Sequence, residues 1–364
     1  MMIKLKMILA ITVGIGLGGC AGDNDYDGTT GLIQNAGSSV SGALETIDTA
    51  VLKAGSAEAL ARCMDLNRSV AALALDEDNA SLQAAQAAWT ALVTAWKKVE
   101  ATYVAEGLDK RMTDIPALLD PYALGGAEKI GSIPGDIEKV LSGSADVADM
   151  MYKNSSKSVQ SLEYLLFGPS HDDAAVLASF VANDRRDEAV AIAVEAVYGH
   201  LSTIEAFYRL DTAFAAGGNE SLELLINTLN VSANRLMEWR IGDPGGFTAK
   251  HLGNPSAARL EYGRSGASLE AMKAVLEAHQ LVIENGLGDI AGDAGADAEI
   301  ESIKTVIENG LTTIEGFEVP LYGALTDPAV EVLYDDAVEL HHSYNASLIS
   351  MLGLTGTIVE ADGD

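Results

Sequence analysis

Ser158-Val159-Gln160-Ser161-Leu162-Glu163-Tyr164-Leu165-Leu166-Phe167-Gly168 is the stretch whose reading decides the fold. At 100° per residue, Val159, Leu162, Leu165 and Leu166 gather on one side of a helix, and Gln160, Glu163, Tyr164 and Phe167 on the other. A helix that is apolar nearly all round belongs between two packed surfaces. A carboxylate at the edge of such a surface is costly unless it is paired or coordinated. Glu163 therefore requires a partner, either a ligand or a structural one such as an arginine or a backbone N–H.

Composition extends this reading to the whole chain. Its 364 residues leave room for two domains of about 150 residues each. The hydrophobic fraction is 48%, yet aromatics make up only 5%, a mixture that suits closely packed helices better than strands. A formal charge of -30 and a pI near 4.3 exclude the basic footprint that nucleic-acid binding needs. The same charge is compatible with cation attraction and with plain solubility.

The first residues read as a targeting segment. Lys4 and Lys6 precede an apolar run from Met7 to Leu17, which ends in Leu17-Gly18-Gly19-Cys20. Such a run is too short to span a bilayer comfortably and has the form of a signal peptide. Leu-Gly-Gly-Cys resembles a bacterial lipobox, which implies cleavage before Cys20, a lipid on Cys20 and a membrane tether on the periplasmic side. Ala21, rather than Asp, follows, so the usual inner-membrane retention signal is missing and the outer membrane is the expected destination. Residues 1–19 are thus the expected signal peptide and 20–31 a solvated tether. Within the tether, Asp23-x-Asp25-x-Asp27-Gly28 matches the first half of an EF-hand calcium loop. Its twelfth position is Gln34 where a bidentate Glu is needed, so a polar spacer is expected. Cys63, flanked by Leu60, Met64 and Leu66, reads as a small buried apolar residue.

From Leu32 onward, apolar spacings of three and four recur through 32–53, 56–75, 80–106, 144–167, 171–181, 184–215, 220–240, 255–285, 297–318 and 328–353. Turn chemistry separates these segments at Asp76-Glu77-Asp78-Asn79, Asp120-Pro121, Ile133-Pro134-Gly135-Asp136 and Gly168-Pro169-Ser170. The longest interruptions are Gly217-Gly218-Asn219, Ile241–Pro255 and Asn285–Asp297. Trp89 and Trp96 share a helix face and read as core anchors, with Lys97, Lys98 and Glu100 on the wet side. The expected fold is all-α, with helical bundles at 32–217 and 218–364 packed around an inter-domain cleft.

Several pieces in order along the chain resemble the imelysin-like family of periplasmic all-helical proteins, which includes iron-regulated and iron-uptake components. They are Trp89-x6-Trp96 with Val99-Glu100-Ala101, Asp136–Gly143, Glu163-Tyr164-Leu165-Leu166-Phe167-Gly168, Arg240-Ile241-Gly242-Asp243-Pro244, Glu261-x2-Arg264-Ser265, Leu352-Gly353-Leu354 and the closing Ala361–Asp364. The family signature Gly-x-His-x-x-Glu falls on Ser158, Gln160 and Glu163, so two of its three positions depart. A His and a Glu at i and i+3 share a helix face and suit a metal, whereas a Gln amide oxygen suits a hard ion at best. The resemblance implies an inter-domain ligand pocket of Ser158, Gln160, Glu163, Glu261, Arg264 and Ser265, with Glu163 as the metal-binding carboxylate and Arg264 as its counterion. It further implies iron or another divalent metal as ligand and iron-transport components as partners. A buried salt-bridge network fixing domain orientation is the competing reading of the same residues.

Some family members have been described as metallopeptidases, but no His-Glu-x-x-His is present. Six histidines occur, His171, His200, His251, His279, His341 and His342. His342 and Glu339 lie at i and i+3, and His251 falls in the 241–255 loop; both are minor metal candidates. The expected function is that of a lipid-anchored binding protein, an accessory in iron or other metal uptake. A metallopeptidase-like enzyme and a cell-envelope interaction module with a degenerate site are the alternatives.

Overall fold

The computed structural model describes residues 37–356 apart from Ser170. The leader, Cys20, the tether with its half calcium loop, and the closing Ala361–Asp364 lie outside the described residues. Within them the protein is all-α, with no strand.

The first helix, α1, runs from Gly37–Ile47 through a π-helical turn at Asp48–Lys53 into Ala54–Asp76 without leaving right-handed backbone. The sequence reading broke it between 53 and 56. A glycine such as Gly55 costs a helix only about 1 kcal/mol, which the buried stripe Ala59, Cys63, Leu66, Val70 and Leu73 outweighs. Glu77, in the left-handed region at φ 46°, stops α1 and returns its N–H to the Leu73 carbonyl. Asp78 then caps α2 (Asn79–Ala101) reciprocally: its carboxylate accepts from Ser81 N at 2.8 Å, while Ser81 Oγ accepts from Asp78 N. This tight turn lays α2 antiparallel on α1.

Two shorter helices, α3 (Ile133–Ser142) and α4 (Val159–Phe167), come next. After them follow α5 (Asp173–Ala182) and α6 (Asp184–Leu210). Helix α4 packs among α2, α3 and α6, and α6 lies along α1. By length and hydropathy α6 would pass for a membrane span, but Ala189, Val190, Val194, Val197 and Leu201 are buried in the core. The remaining long helices are α7 (Asn219–Arg235, continued by a π-helical turn through Leu236–Gly242), α8 (Ser268–Val282), α9 (Asp297–Glu315) and α10 (Pro328–His342).

A single hydrophobic core runs through both sides of the 217–219 break. Helix α8 lies on α2, and the start of α1 packs on the turn Ile283–Leu287 that follows α8. Gly286, at φ 147°, makes that approach possible: a Cβ there would sit 2.8 Å from the Ala43 carbonyl oxygen.

Three expectations need correcting. Residues 144–167 are not one helix but a short helix, Val147–Met150, a 3₁₀ turn, Asn154–Lys157, and α4. The helix expected from 255 begins at Ser268, because Tyr262 and Gly266 take positive φ (55° and 78°) and hold 260–267 as a loop. Conversely, the expected 285–297 interruption contains a helix, Gly288–Asp293.

Candidate functional site

Helix α4 is held at both ends. Ser158 is its N-cap, fully buried, exchanging hydrogen bonds with Ser161 and donating its hydroxyl to the Ser155 carbonyl at 2.8 Å. At the other end, carbonyls that a helix leaves orphaned meet side chains from neighbouring helices. Arg186 donates to the Leu165 and Tyr164 carbonyls, and Gln86 Nε2 donates to that of Leu166 at 3.0 Å. A cation at a helix C-terminus also suits the macrodipole. Gly168, at φ 68°, ends the helix where a Cβ would strike Val176 at 2.8 Å.

So fixed, α4 presents Glu163 to the 260–267 loop. Glu163 is 4% exposed. Its Oε1 accepts from the backbone N–H of Arg264 (2.9 Å), that of Ser265 (2.9 Å) and the Ser265 hydroxyl (3.0 Å). The left-handed Tyr262 turns the loop so that these donors converge. The guanidinium of Arg264, expected as the counterion, instead lies over the Tyr164 ring at 5.2 Å. Burial raises the Glu163 carboxyl to about 7, against the pull of Ser265 and Arg264.

One layer deeper is an ion cluster of Lys97, Glu100, Asp120, Arg240 and Glu261, each at most 6% exposed. Lys97 Nζ donates to Glu100 Oε2 (2.5 Å), Asp120 Oδ2 (2.7 Å) and Glu261 Oε1 (2.5 Å). Arg240 bridges Glu261 Oε2 and Glu100 Oε1, both at 2.7 Å. Three carboxylates face two cations, and neutral donors meet the excess at Asp120, which accepts from Tyr262 OH (2.5 Å), Gln160 Nε2 (3.0 Å) and Tyr122 N (3.2 Å). Desolvation would suppress each charge, but the partners prevail for Lys97, raised by its three acids, and for Glu100, lowered by Arg240 and Lys97. The Glu261 carboxyl stays raised, burial being the larger effect. Glu100, Asp120 and Glu261 each bring an oxygen within 4.8 Å of the others, which is metal-site spacing. The Lys97 ammonium stands where the metal would.

This cluster corrects the sequence reading in three ways. Lys97 and Glu100, placed on the wet side, are buried. Glu261, expected to line the ligand pocket, is paired within the cluster. Ser158 is a helix cap and does not line the Glu163 cavity. Gln160, Glu163, Arg264 and Ser265 do come together, and Gln160, Glu163 and Arg264 line a cavity of about 430 Å³ with Tyr164 and His171. Since a carboxylate can only accept, Gln160 turns its NH₂ to Asp120 and its amide oxygen away. His171, not singled out in the sequence, sits at φ 53° with its ring stacked on Tyr322 at 4.2 Å, at the cavity's edge. Among the other histidines, His279 is buried between Tyr344 OH and Ser232 Oγ and held neutral, its value lowered to about 3. His342 and Glu339 are exposed on α10, and His251 lies 4.0 Å from Asp243.

An all-α fold in which a buried carboxylate lines one cavity, beside a buried cluster of three acids and two cations, defines the structural class of the protein. The chain belongs to the imelysin family, whose model matches residues 53–343. An imelysin-like protein from Psychrobacter arcticum 273-4 shares the fold with a TM-score of 0.69 at 17% identity, over 88% of this chain and 98% of that one. A protein from Parabacteroides distasonis ATCC 8503, provisionally named iron-regulated protein A precursor, gives a TM-score of 0.57 at 14% identity, over 87% and 95%. No curated protein matches.

Proposed function

We propose that this protein is a cell-envelope binding protein that takes its ligand in the Glu163 cavity and serves in iron or other metal uptake, with the metal as cargo. The observation that carries this reading is Glu163 itself. Three donors fix one of its oxygens, and burial leaves its charge poised near neutrality. That poise is a frequent mark of functional carboxyls. A relative of the same fold is named as iron-regulated. The Leu17-Gly18-Gly19-Cys20 motif supports a lipid anchor on Cys20, on the periplasmic side and at the outer membrane, with iron-transport components as partners.

The donor set limits how the metal is held. Glu163, Gln160 and His171 line the cavity with oxygen and nitrogen ligands to offer, beside Tyr164, Tyr322 and the positive Arg264. They do not make a closed site for a bare soft metal. They suit a hard ion or a metal that arrives with part of its coordination shell already filled. Calorimetric titration with ferrous, ferric, cupric and calcium ions, alongside Glu163→Gln, tests the reading. Saturable binding weakened at least about tenfold by Glu163→Gln is expected; no saturable binding, or indifference to Glu163, overturns it. In Gln160→His a ring nitrogen replaces the amide oxygen, and cupric affinity is expected to rise by tenfold or more while the Asp120 hydrogen bond persists.

A further inference from the structure

A second cavity, of about 370 Å³, lies on the other side of the ion cluster, with Glu100 and Arg240 in its wall. Arg235, the last residue of α7, also lines it. Its guanidinium rests on the Trp239 ring at 5.5 Å. No hydrogen bond or ion pair joins it to any acceptor among the described residues. The cations deeper in the fold are treated differently: Lys97 holds three carboxylates, Arg240 two, and Arg186 two carbonyls and the Ser179 hydroxyl. Burial and Arg240 lower the Arg235 value more than the nearby Glu100, Glu106 and Glu261 raise it, none of them hydrogen-bonded to it. Arg235 is half-buried, and a partly desolvated guanidinium keeps its charge at a cost that a bound anion relieves.

The rest of the wall says which anion. Leu124, Leu224 and Val231 supply an apolar surface, and Leu124 is 59% exposed although it faces this cavity. Glu106 and Asp114 lie at the same cavity and are exposed; their charge repels a multiply charged anion such as phosphate. The volume is of the order that small-molecule sites use.

We propose that this cavity is a second binding site, for a small organic monocarboxylate. Its carboxylate takes a two-pronged hydrogen bond from Arg235, and its apolar body lies against Leu124, Leu224 and Val231. The inference is independent of what the Glu163 cavity binds.

The test uses the full mature chain and calorimetry with sodium hexanoate and sodium benzoate, against methyl hexanoate and inorganic phosphate. Saturable one-to-one binding of a monocarboxylate is expected, with the ester and phosphate silent. Arg235→Gln is expected to weaken it at least tenfold, Arg235→Lys less, and the melting temperature of Arg235→Gln to stay level because the guanidinium holds no hydrogen bond among the described residues. Absence of saturable binding, or binding indifferent to Arg235, overturns the proposal. So does a melting temperature lowered alike by Arg235→Gln and by the triple variant Glu360→Gln, Asp362→Asn, Asp364→Asn. Asn227, on the cavity rim, donates to the Thr355 carbonyl at 3.0 Å, and that result would make the chain's own acidic end the partner of Arg235.

Discussion

Glu163 is a residue whose environment works against its charge, and the consequence can be read as stability. Its ordinary value is 4.5 and its folded value about 7. Between these, the folded protein keeps a proton that the unfolded chain has released. The residue's contribution is therefore most favourable below pH 4.5, declines as pH rises towards 7, and is level above. At 1.36 kcal/mol per unit the decline is at most about 3 kcal/mol. Glu163→Gln keeps the shape and loses the proton equilibrium. Urea unfolding of both forms from pH 4.5 to 8 should show the wild type losing about 2–3 kcal/mol relative to the variant. His279 acts oppositely: its folded value of about 3 makes stability fall as pH drops below 6.5. That effect is common to both proteins and cancels in the difference. A difference that stays flat with pH would mean Glu163 is ionised throughout, its three donors having outweighed its burial.

At the scale of elements, the ion cluster is built by α2, the 260–267 loop, Asp120 and the π-helical turn that carries Arg240, and Lys97 is its keystone. Without the ammonium, three carboxylates within 4.8 Å face Arg240 alone. Leaving a buried charge uncompensated costs about 3–5 kcal/mol. Lys97→Met should therefore lower the melting temperature sharply. Because the oxygens already have metal spacing, millimolar calcium or manganese should restore part of the loss in the variant and leave the wild type unchanged. A variant that melts like the wild type would show that the cluster does not depend on Lys97, and one that melts lower but that divalent ions do not help would show that the three carboxylates do not form a metal site. The buried place of Glu100 was in fact legible. It follows Trp89 by eleven residues, almost a whole number of helical turns, so it shares the face that the two tryptophans define as core. Reading polarity before periodicity put it in water. Tyr262 was not legible in this way, since nothing in Glu261-Tyr262-Gly263-Arg264 signals a left-handed tyrosine. That turn is what makes backbone N–H groups, rather than a guanidinium, the partners of Glu163. The apolar rhythm of α1, α2, α6 and α8 was plain because burial on one face repeats every turn.

Taken whole, the molecule interlocks its two halves. The start of α1 packs on the turn after α8, α8 lies on α2, and the cluster joins Lys97, Glu100 and Asp120 of the first half to Arg240 and Glu261 of the second. Tyr122 adds a link, its hydroxyl donating to the Trp239 carbonyl at 2.6 Å. A glycine-rich break such as Gly217-Gly218-Asn219 marks a change of direction in the chain, but it carries no information about which surfaces meet afterwards. With a shared core and a shared buried ion cluster, neither half can lose its structure without exposing apolar surface and unpaired charge of the other. Thermal unfolding should therefore be one transition, with calorimetric and van't Hoff enthalpies agreeing, despite a length at which two-state behaviour is no longer general. The same should hold for Lys97→Met, whose single transition moves down without dividing. Scanning calorimetry at pH 7 settles the point: two resolved peaks, or a van't Hoff enthalpy near half the calorimetric value, would mean that the halves fold as separate units and that the cluster merely bridges them. Salt sharpens the test, because at a net charge of -30 the whole fold repels itself. Raising ionic strength from about 0.01 to 0.15 M shortens the screening length from about 30 to 8 Å. That should lift the single transition as a unit, whereas independent halves would shift by unequal amounts and separate.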